Sequence, residues 1–280
     1  GMIEFHDVHA SYDGERAVLK GVDFTIGDGE FVSFVGTNGA GKSTTMRLMN
    51  GLLKPTRGDV LIDGVSTRDL KTSQLARSVG FLFQNPDRQI CNNTVREELL
   101  FGFKALGEKG PEVEARVDAI IAELGFDPEA DPFLLNRGTR QLLALASIVV
   151  VEPSVVVLDE PTTGLDYREC SKVMDIVSRL HEQGTTVVMV CHDMEVVGDY
   201  ARRVIVMNDG RVIDDGPTFE VLRRQETVRR ASLVPPQIVG ISMELVRRYP
   251  SLAQTPIATA NTLEEMASAI ELVRSEGGEL

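Results

Sequence analysis

From residue 3 to residue 35 the chain alternates apolar and polar positions: Ile3, Phe5 and Val8, then Val22, Phe24 and Ile26, then the run Phe31–Val35. Asp13-Gly14 and Gly27-Asp28-Gly29 punctuate the alternation. A period of two broken by such turns predicts antiparallel strands that feed a first core strand. A short strand over 59–64 ends in Asp63-Gly64, and Val79–Phe83 reads as a buried strand. The period then lengthens. Within 94–124, Val113, Val117, Ile120, Ile121 and Leu124 recur mostly every three to four positions, which predicts a helical stretch with one buried face. A second helix is predicted over 139–151. Strand and helix alternate from there: strand 155–158, helix 168–182, strand 185–190, helix 194–200 and strand 203–207, closed by the hairpin turn Asn208-Asp209-Gly210-Arg211. Such alternation predicts an α/β fold with a mostly parallel sheet flanked by helices. After Pro217 the pattern is helical and polar. Pro235-Pro236 interrupts it, and helices follow over 238–248 and 263–274.

Composition narrows the functional classes. At 280 residues the chain has room for one large domain plus an extension, or two small ones. A net charge of −13 argues against a nucleic-acid partner held through phosphates. Cys91, Cys170 and Cys191 are far apart and form no C-x-x-C pair, which favours structural thiols in a reduced, cytosolic protein over a disulfide or zinc framework. The longest largely apolar stretch, 142–151, is well short of the roughly 20 residues a membrane helix needs.

The chemistry is concentrated in two segments. Residues 36–44 read Gly36-Thr37-Asn38-Gly39-Ala40-Gly41-Lys42-Ser43-Thr44, the phosphate-loop pattern G-x-x-x-x-G-K-[ST], between the apolar run 31–35 and a helical stretch over 43–50. A glycine-rich turn at a helix start can aim successive backbone N–H groups and the positive end of the helix dipole at a polyphosphate. Lys42 can then reach the β- and γ-phosphates, and Ser43 can ligate Mg²⁺. The second segment is Val155-Val156-Val157-Leu158-Asp159-Glu160. Its apolar run fits a buried parallel strand. At its end, Asp159 is placed to hold Mg²⁺ directly or through water, and Glu160 to orient and polarise an attacking water. Together the two segments indicate a nucleoside-triphosphate hydrolase without saying which kind.

Further motifs make residues 3 to about 220 resemble an ATP-binding-cassette (ABC) ATPase. Tyr12 matches the aromatic residue that stacks on adenine in that family. Gln84 matches the glutamine that contacts Mg²⁺ and the attacking water and senses the membrane partner. Gly164-Leu165-Asp166 matches the loop that crosses the dimer interface, and His192 the histidine on the γ-phosphate. The string Gln84-Asn85-Pro86-Asp87-Arg88-Gln89, followed by Thr94-Val95-Arg96-Glu97-Glu98 and Phe101-Gly102, is similar to the ATPases of energy-coupling-factor importers of vitamins or of cobalt and nickel ions.

The resemblance implies a P-loop cassette over 2–219, with an N-terminal antiparallel β subdomain, a helical subdomain at about 86–152 and a C-terminal helical extension over 220–280. It implies ATP and Mg²⁺ as ligands and a homodimer or a heterodimer with a second ABC ATPase. Each site then takes Lys42, Ser43, Gln84, Asp159, Glu160 and His192 from one subunit, and Asn136, Gly138 and Asp166 from the other. Partners would be integral-membrane transporter subunits, including a substrate-binding component, at the cytoplasmic face of the membrane. The family signature L-S-G-G-Q falls on Leu135-Asn136-Arg137-Gly138-Thr139. Asn136 can still cap a helix, but Arg137 and Thr139 depart from the pattern and imply weakened, not abolished, turnover. The extension contains no His or Cys and is expected to dimerise rather than to sense substrate. Two other classes are open: the ATPase of another importer type, and a soluble cassette protein. A ribosome-acting member would carry two cassettes and a charged linker, and a DNA-repair member a long coiled-coil or zinc insertion between the two nucleotide motifs. The sequence shows none of these features.

Overall fold

A computed structural model describes residues 1–277. The chain opens with strands β1 (Ile3–Ala10), β2 (Leu19–Ile26) and β3 (Phe31–Gly36), followed by helix α1 (Lys42–Met49). Strands β4 (Arg57–Ile62) and β5 (Val65–Ser66), helix α2 (Thr72–Ser78) and strand β6 (Val79–Leu82) come next. β1, β2, β4 and β5 make an antiparallel sheet in the order β2-β1-β4-β5. Its inward residues, among them Ile3, Phe5, Val22 and Val60, are buried against β3 and α1 in one apolar cluster. Asp63 and Gly64 both take positive φ, 48° and 80°, in the tight turn that ends β4.

Between β6 and the next strand the chain leaves the sheets. Helices α3 (Val95–Ala105), α4 (Pro111–Leu124) and α5 (Arg137–Val149) build a separate cluster around Val95, Leu99, Phe103, Val117 and Leu143. The helical stretch expected over 94–124 is two helices. Gly107 (φ 73°) and Gly110 (φ 119°) adopt conformations a helix does not use, and Pro111 starts α4 where its missing N–H costs nothing. α5 begins two residues earlier than its apolar pattern because Asn136 caps it: the Asn136 Oδ1 accepts the Thr139 N–H at 2.9 Å.

The chain then returns as β7 (Val155–Asp159), α6 (Tyr167–Glu182), β8 (Thr186–Val190), α7 (Met194–Tyr200), β9 (Arg203–Asn208) and β10 (Arg211–Pro217). The second sheet has the order β10-β9-β3-β8-β7-β6, parallel throughout except for the edge strand β10. Val155, Val156, Val157 and Leu158 are all fully buried, as a strand covered on both faces requires. Helices α8 (Thr218–Leu222), α9 (Gln225–Arg230), α10 (Gln237–Arg248) and α11 (Leu263–Ser275) complete the chain. Val221, Leu222 and Ala231 are buried in the same cluster as β7 and α6, and Leu233 packs on it. Leu252, Ile257, Met266 and Val273 form a small core of their own. Among the described residues no helix is long and apolar enough to cross a membrane.

Candidate functional site

The parallel strands end along one edge of the sheet, and the segments after β3, β6, β7 and β8, which bear the phosphate loop, Gln84, Glu160 and His192, leave from that edge. At the end of β3, Gly36 has φ 147°, and a Cβ there would stand 2.2 Å from the Met207 carbonyl oxygen. Only glycine lets the loop turn this close to β9. Gly41 (φ 106°) is the N-cap of α1, and no side chain caps the helix. The N–H groups of its first turn are therefore left to a ligand, which at a helix N-terminus favours an anion. Lys42 is buried, and its Nζ donates to the Gly36 carbonyl at 2.6 Å, folded back over the loop.

At the end of β7, Asp159 pairs with Val190 of β8. Glu160 then bends the chain away with φ 50°, although its N–H still reaches the Val190 carbonyl at 2.9 Å. A left-handed glutamate costs on the order of 1 kcal/mol and is tolerated where the surroundings hold it. The Glu160 carboxylate is nearly buried, with His192 Nδ1 2.8 Å from its Oε2 and Thr163 Oγ1 at 3.4 Å. Burial pushes Asp159 above the usual carboxylate range, and the neighbouring Glu160 adds to the shift, while Arg47 and Lys42 oppose it. Burial likewise lowers the Lys42 ammonium, and Glu160 and Asp159 hold it up against that. Two carboxylates and one lysine thus share a partly desolvated space, where a polyphosphate and a divalent cation would find charges opposite to their own.

That space is a cleft of about 470 Å³ lined by Tyr12, Val18, Asn38, Gly39, Gly41, Lys42, Ser43, Thr44, Gln84, Asp159, Glu160, Val190 and His192. Tyr12 stands at its mouth: its hydroxyl is 3.0 Å from Thr44 Oγ1, and the Arg47 guanidinium lies 5.7 Å from the ring centroid. The ring is half exposed beside the phosphate loop, where a base can stack. Thr37 and Ala40 belong to the loop but do not line the cleft. Ala40 is buried and serves the turn through its backbone, donating to the Thr37 carbonyl and accepting from Gly210. Among the described residues no cluster of three or more His, Cys, Asp or Glu could hold a metal unaided. Ser43, Asp159 and Gln84 offer hard oxygen donors in one cleft, a set that suits Mg²⁺ when phosphate oxygens complete the shell.

Asn136, Gly138 and Asp166 do not line this cleft. They gather at a second place, where the start of α5 meets the start of α6. Asp166 caps α6 in a reciprocal capping box: its Oδ1 accepts the Glu169 N–H at 2.8 Å, and the Glu169 carboxylate accepts the Asp166 N–H at 3.1 Å. A Cβ on Gly138 would sit 1.5 Å from Glu169 Oε2, so a side chain there would displace the Glu169 carboxylate from the capping box. Arg137 Nη2 donates to the Thr163 carbonyl at 3.2 Å, and the guanidinium lies over Gly164. The cation that replaces a signature glycine is thus turned onto its own chain. Sequence reasoning missed Val18, Val190, Arg47 and Glu169. The spacing Asp166-x-x-Glu169 is a legible capping box, whereas Val18 carries no signal and enters the cleft only because β2 starts beside the phosphate loop.

The electrostatics lead to a stability prediction. A carboxyl whose folded pKa is raised costs the fold nothing below its unfolded value; the penalty grows as pH rises from that value and is complete above the folded one. Asp159→Asn removes that penalty. Without nucleotide the variant is expected to melt higher than the parent at pH 7, and the gain should vanish as pH falls toward about 4. Thermal unfolding across that range checks it; a variant that melts lower at pH 7 contradicts the assignment.

Comparison with known proteins agrees with this geometry. The ABC transporter family model matches residues 19–163, just over half of the chain. The chain is 38% identical over 269 residues to the energy-coupling factor transporter ATP-binding protein EcfA of Methanocaldococcus jannaschii, with 95% of each covered. It is 40% identical over 256 residues to a relative in Caldanaerobacter subterraneus subsp. tengcongensis, provisionally named an ABC transporter ATP-binding protein, but spans 45% of that longer protein. Among solved structures, CbiO1 of Clostridium perfringens, part of the ABC transporter complex cbiONQ, superposes with a TM-score of 0.72 at 31% identity, covering 89% of this chain and 96% of that one. The dimeric post-hydrolysis structure of the ATP-binding cassette MJ0796 with ADP and Pi has a TM-score of 0.67 at 31% identity, over 77% and 98%. A phosphate loop and a carboxylate pair brought together by one parallel sheet, on a chain with these relatives, make it a member of the ATP-hydrolysing ABC family, an ATP-binding subunit of an ABC transporter.

Proposed function

We propose that the chain is the ATPase of an energy-coupling-factor importer, acting in a dimer of cassettes at the cytoplasmic face of the membrane. Its cargo is a vitamin or a transition-metal ion. The observation that carries this reading is the segment after Gln84. Gln84 lines the cleft, and Asp87, three residues on, pairs at 2.8 Å with Arg140 of α5, the helix that Asn136 caps. A membrane subunit pressing on this segment would act on the nucleotide cleft and on the second cluster at once. Relatives named as energy-coupling-factor ATPases, in Methanocaldococcus jannaschii and elsewhere, support the importer class.

Two features favour a pair of cassettes. The second cluster does not line the chain's own cleft, and two exposed apolar side chains flank it in sequence: Leu134 is 84% and Tyr167 89% exposed. Such exposed apolar surface favours a covering partner. At each composite site, Lys42 and the N-terminus of α1 neutralise and orient the triphosphate, with Tyr12 against the base. Glu160, aligned by His192, orients the water and takes its proton as the oxygen attacks the γ-phosphorus. Mg²⁺ held by Ser43, Asp159 and Gln84 would offset charge on the β- and γ-phosphates. Asn136, Gly138 and Asp166 of the partner cassette would close the site. Glu160→Gln should keep ATP binding and lose about 10²–10⁴-fold in turnover, read by steady-state hydrolysis; near-normal rates would exclude Glu160 as the base.

The extension beyond Leu233 supplies a second contact between subunits. Val234, Ile241 and Tyr249 are exposed on one apolar groove that α10 lines, and pairing across a two-fold axis would bury it. Residues 220–233 pack on the cassette core, so a chain cut after Val234 keeps that core intact. Without nucleotide the full chain should sediment as a dimer and the cut chain as a monomer; the same state for both would refute the role.

The importer class itself is tested by purification from the native host. The chain should copurify with a multi-span membrane subunit and a small membrane-embedded substrate-binding protein. Recovery with a soluble binding protein instead would point to another importer class, and recovery without any membrane protein to a soluble ATPase.

A further inference from the structure

Helix α7 begins two residues after His192, and the C-terminal extension is built directly onto it. The Glu195 carboxylate accepts a 2.6 Å hydrogen bond from the Gln237 N–H, the first residue of α10. The N-cap residue of α10 is Pro236, which has no side chain able to cap it, so a carboxylate from another helix meets that N-terminus. One turn along α7, a Cβ on Gly198 would lie 3.2 Å from Pro236 Cγ and 3.3 Å from Phe219 Cε1. Pro236 therefore rests on the α7 backbone, and a larger side chain at Gly198 would lift it off.

The extension does not hang loosely from these contacts. Arg223, at the end of α8, donates to Ser242 Oγ at 3.0 Å, to the carbonyls of Ala258 at 2.9 Å and Ala260 at 2.6 Å, and to Asn261 Oδ1 at 2.8 Å. One guanidinium so ties α10 and the segment before α11 to the cassette. At the N-terminal end of α7, the Asp193 Oδ1 caps the helix by accepting the Glu195 N–H at 3.0 Å, and His192, adjacent to Asp193, holds Glu160 at 2.8 Å.

We propose that the C-terminal extension positions His192. Glu195 and Pro236 fix α7 from one side, and α7 fixes the backbone from which the imidazole reaches Glu160. Glu195 and Gly198 are positioning residues that touch neither nucleotide nor water. Loosening α10 slows the chemical step and leaves ATP binding at the phosphate loop unchanged, so whatever engages the extension can tune turnover. The inference rests on the reading of His192 and Glu160 as the hydrolytic pair.

The test compares full-length variants in steady-state ATP hydrolysis. Glu195→Ala should lower kcat about fivefold, the factor an ordinary helix cap can shift, with KM for ATP unchanged. Glu195→Gln retains an acceptor and should restore most of the rate. Gly198→Val should reproduce the kcat-only loss by displacing Pro236, and it serves as the comparison if Glu195→Ala proves unstable. In a His192→Ala background, Glu195→Ala should cost nothing further, because its effect passes through the missing ring. An unchanged kcat in His192→Ala would remove the hydrolytic pair and the proposal with it. A reduced kcat in His192→Ala with an unchanged kcat in Glu195→Ala, or losses that multiply in the double variant, would overturn the positioning role alone.

Discussion

Strand β8 is hydrogen-bonded to β3 on one side and to β7 on the other, and the site exists because of that pairing. β3 delivers the phosphate loop and β7 delivers Asp159 and Glu160. Parallel strands in one sheet end on the same side, so two sequence segments far apart in the chain converge at one edge. His192 follows β8 itself and arrives between them. The full burial of Val155–Leu158 and Val187–Met189 is what makes this convergence rigid.

Such a site is costly to the fold that holds it. Lys42 and Asp159 are drawn out of water, where burial makes each less favourable to charge, and Glu160 lies nearly buried against His192. Glu160 sits at positive φ besides. The strain and the desolvation fall at the residues that would meet a triphosphate and its cation, whose charges are opposite to those left unbalanced. A ligand of those charges would offset part of the desolvation cost and so stabilise the fold.

The second cluster obeys a different physics. Asn136 and Asp166 both act as helix caps, and Gly138 leaves room for the Glu169 carboxylate of the neighbouring helix. Each residue therefore has a complete structural reason to be where it is within one chain. That is compatible with a role across an interface, because helix N-termini capped by short side chains still present backbone N–H groups to an anion. Arg137, tied to the Thr163 carbonyl, lies between this cluster and the loop that carries Glu160. A departure from the family pattern has thus become a contact within the chain.

The sequence by itself determined the fold class and most of the cleft. The phosphate loop, the strand ending in Asp159-Glu160 and the alternation of strand and helix are local patterns, and local patterns are legible because period and turn chemistry are set by neighbours in the chain. The resemblance to ABC ATPases picked out Tyr12, Gln84 and His192, and all three line the cleft. What the helical period did not reveal was the break between α3 and α4, although Gly107 and the pair Gly110-Pro111 mark it in the sequence. Nor did it reveal the placement of Val18 and Arg47 around the nucleotide mouth, the seat of Arg137, or the contact of Gln237 with Glu195. Each of these joins residues distant in sequence through a single hydrogen bond or van der Waals contact. Such contacts leave no periodic trace in the chain, and only the packed tertiary structure decides them.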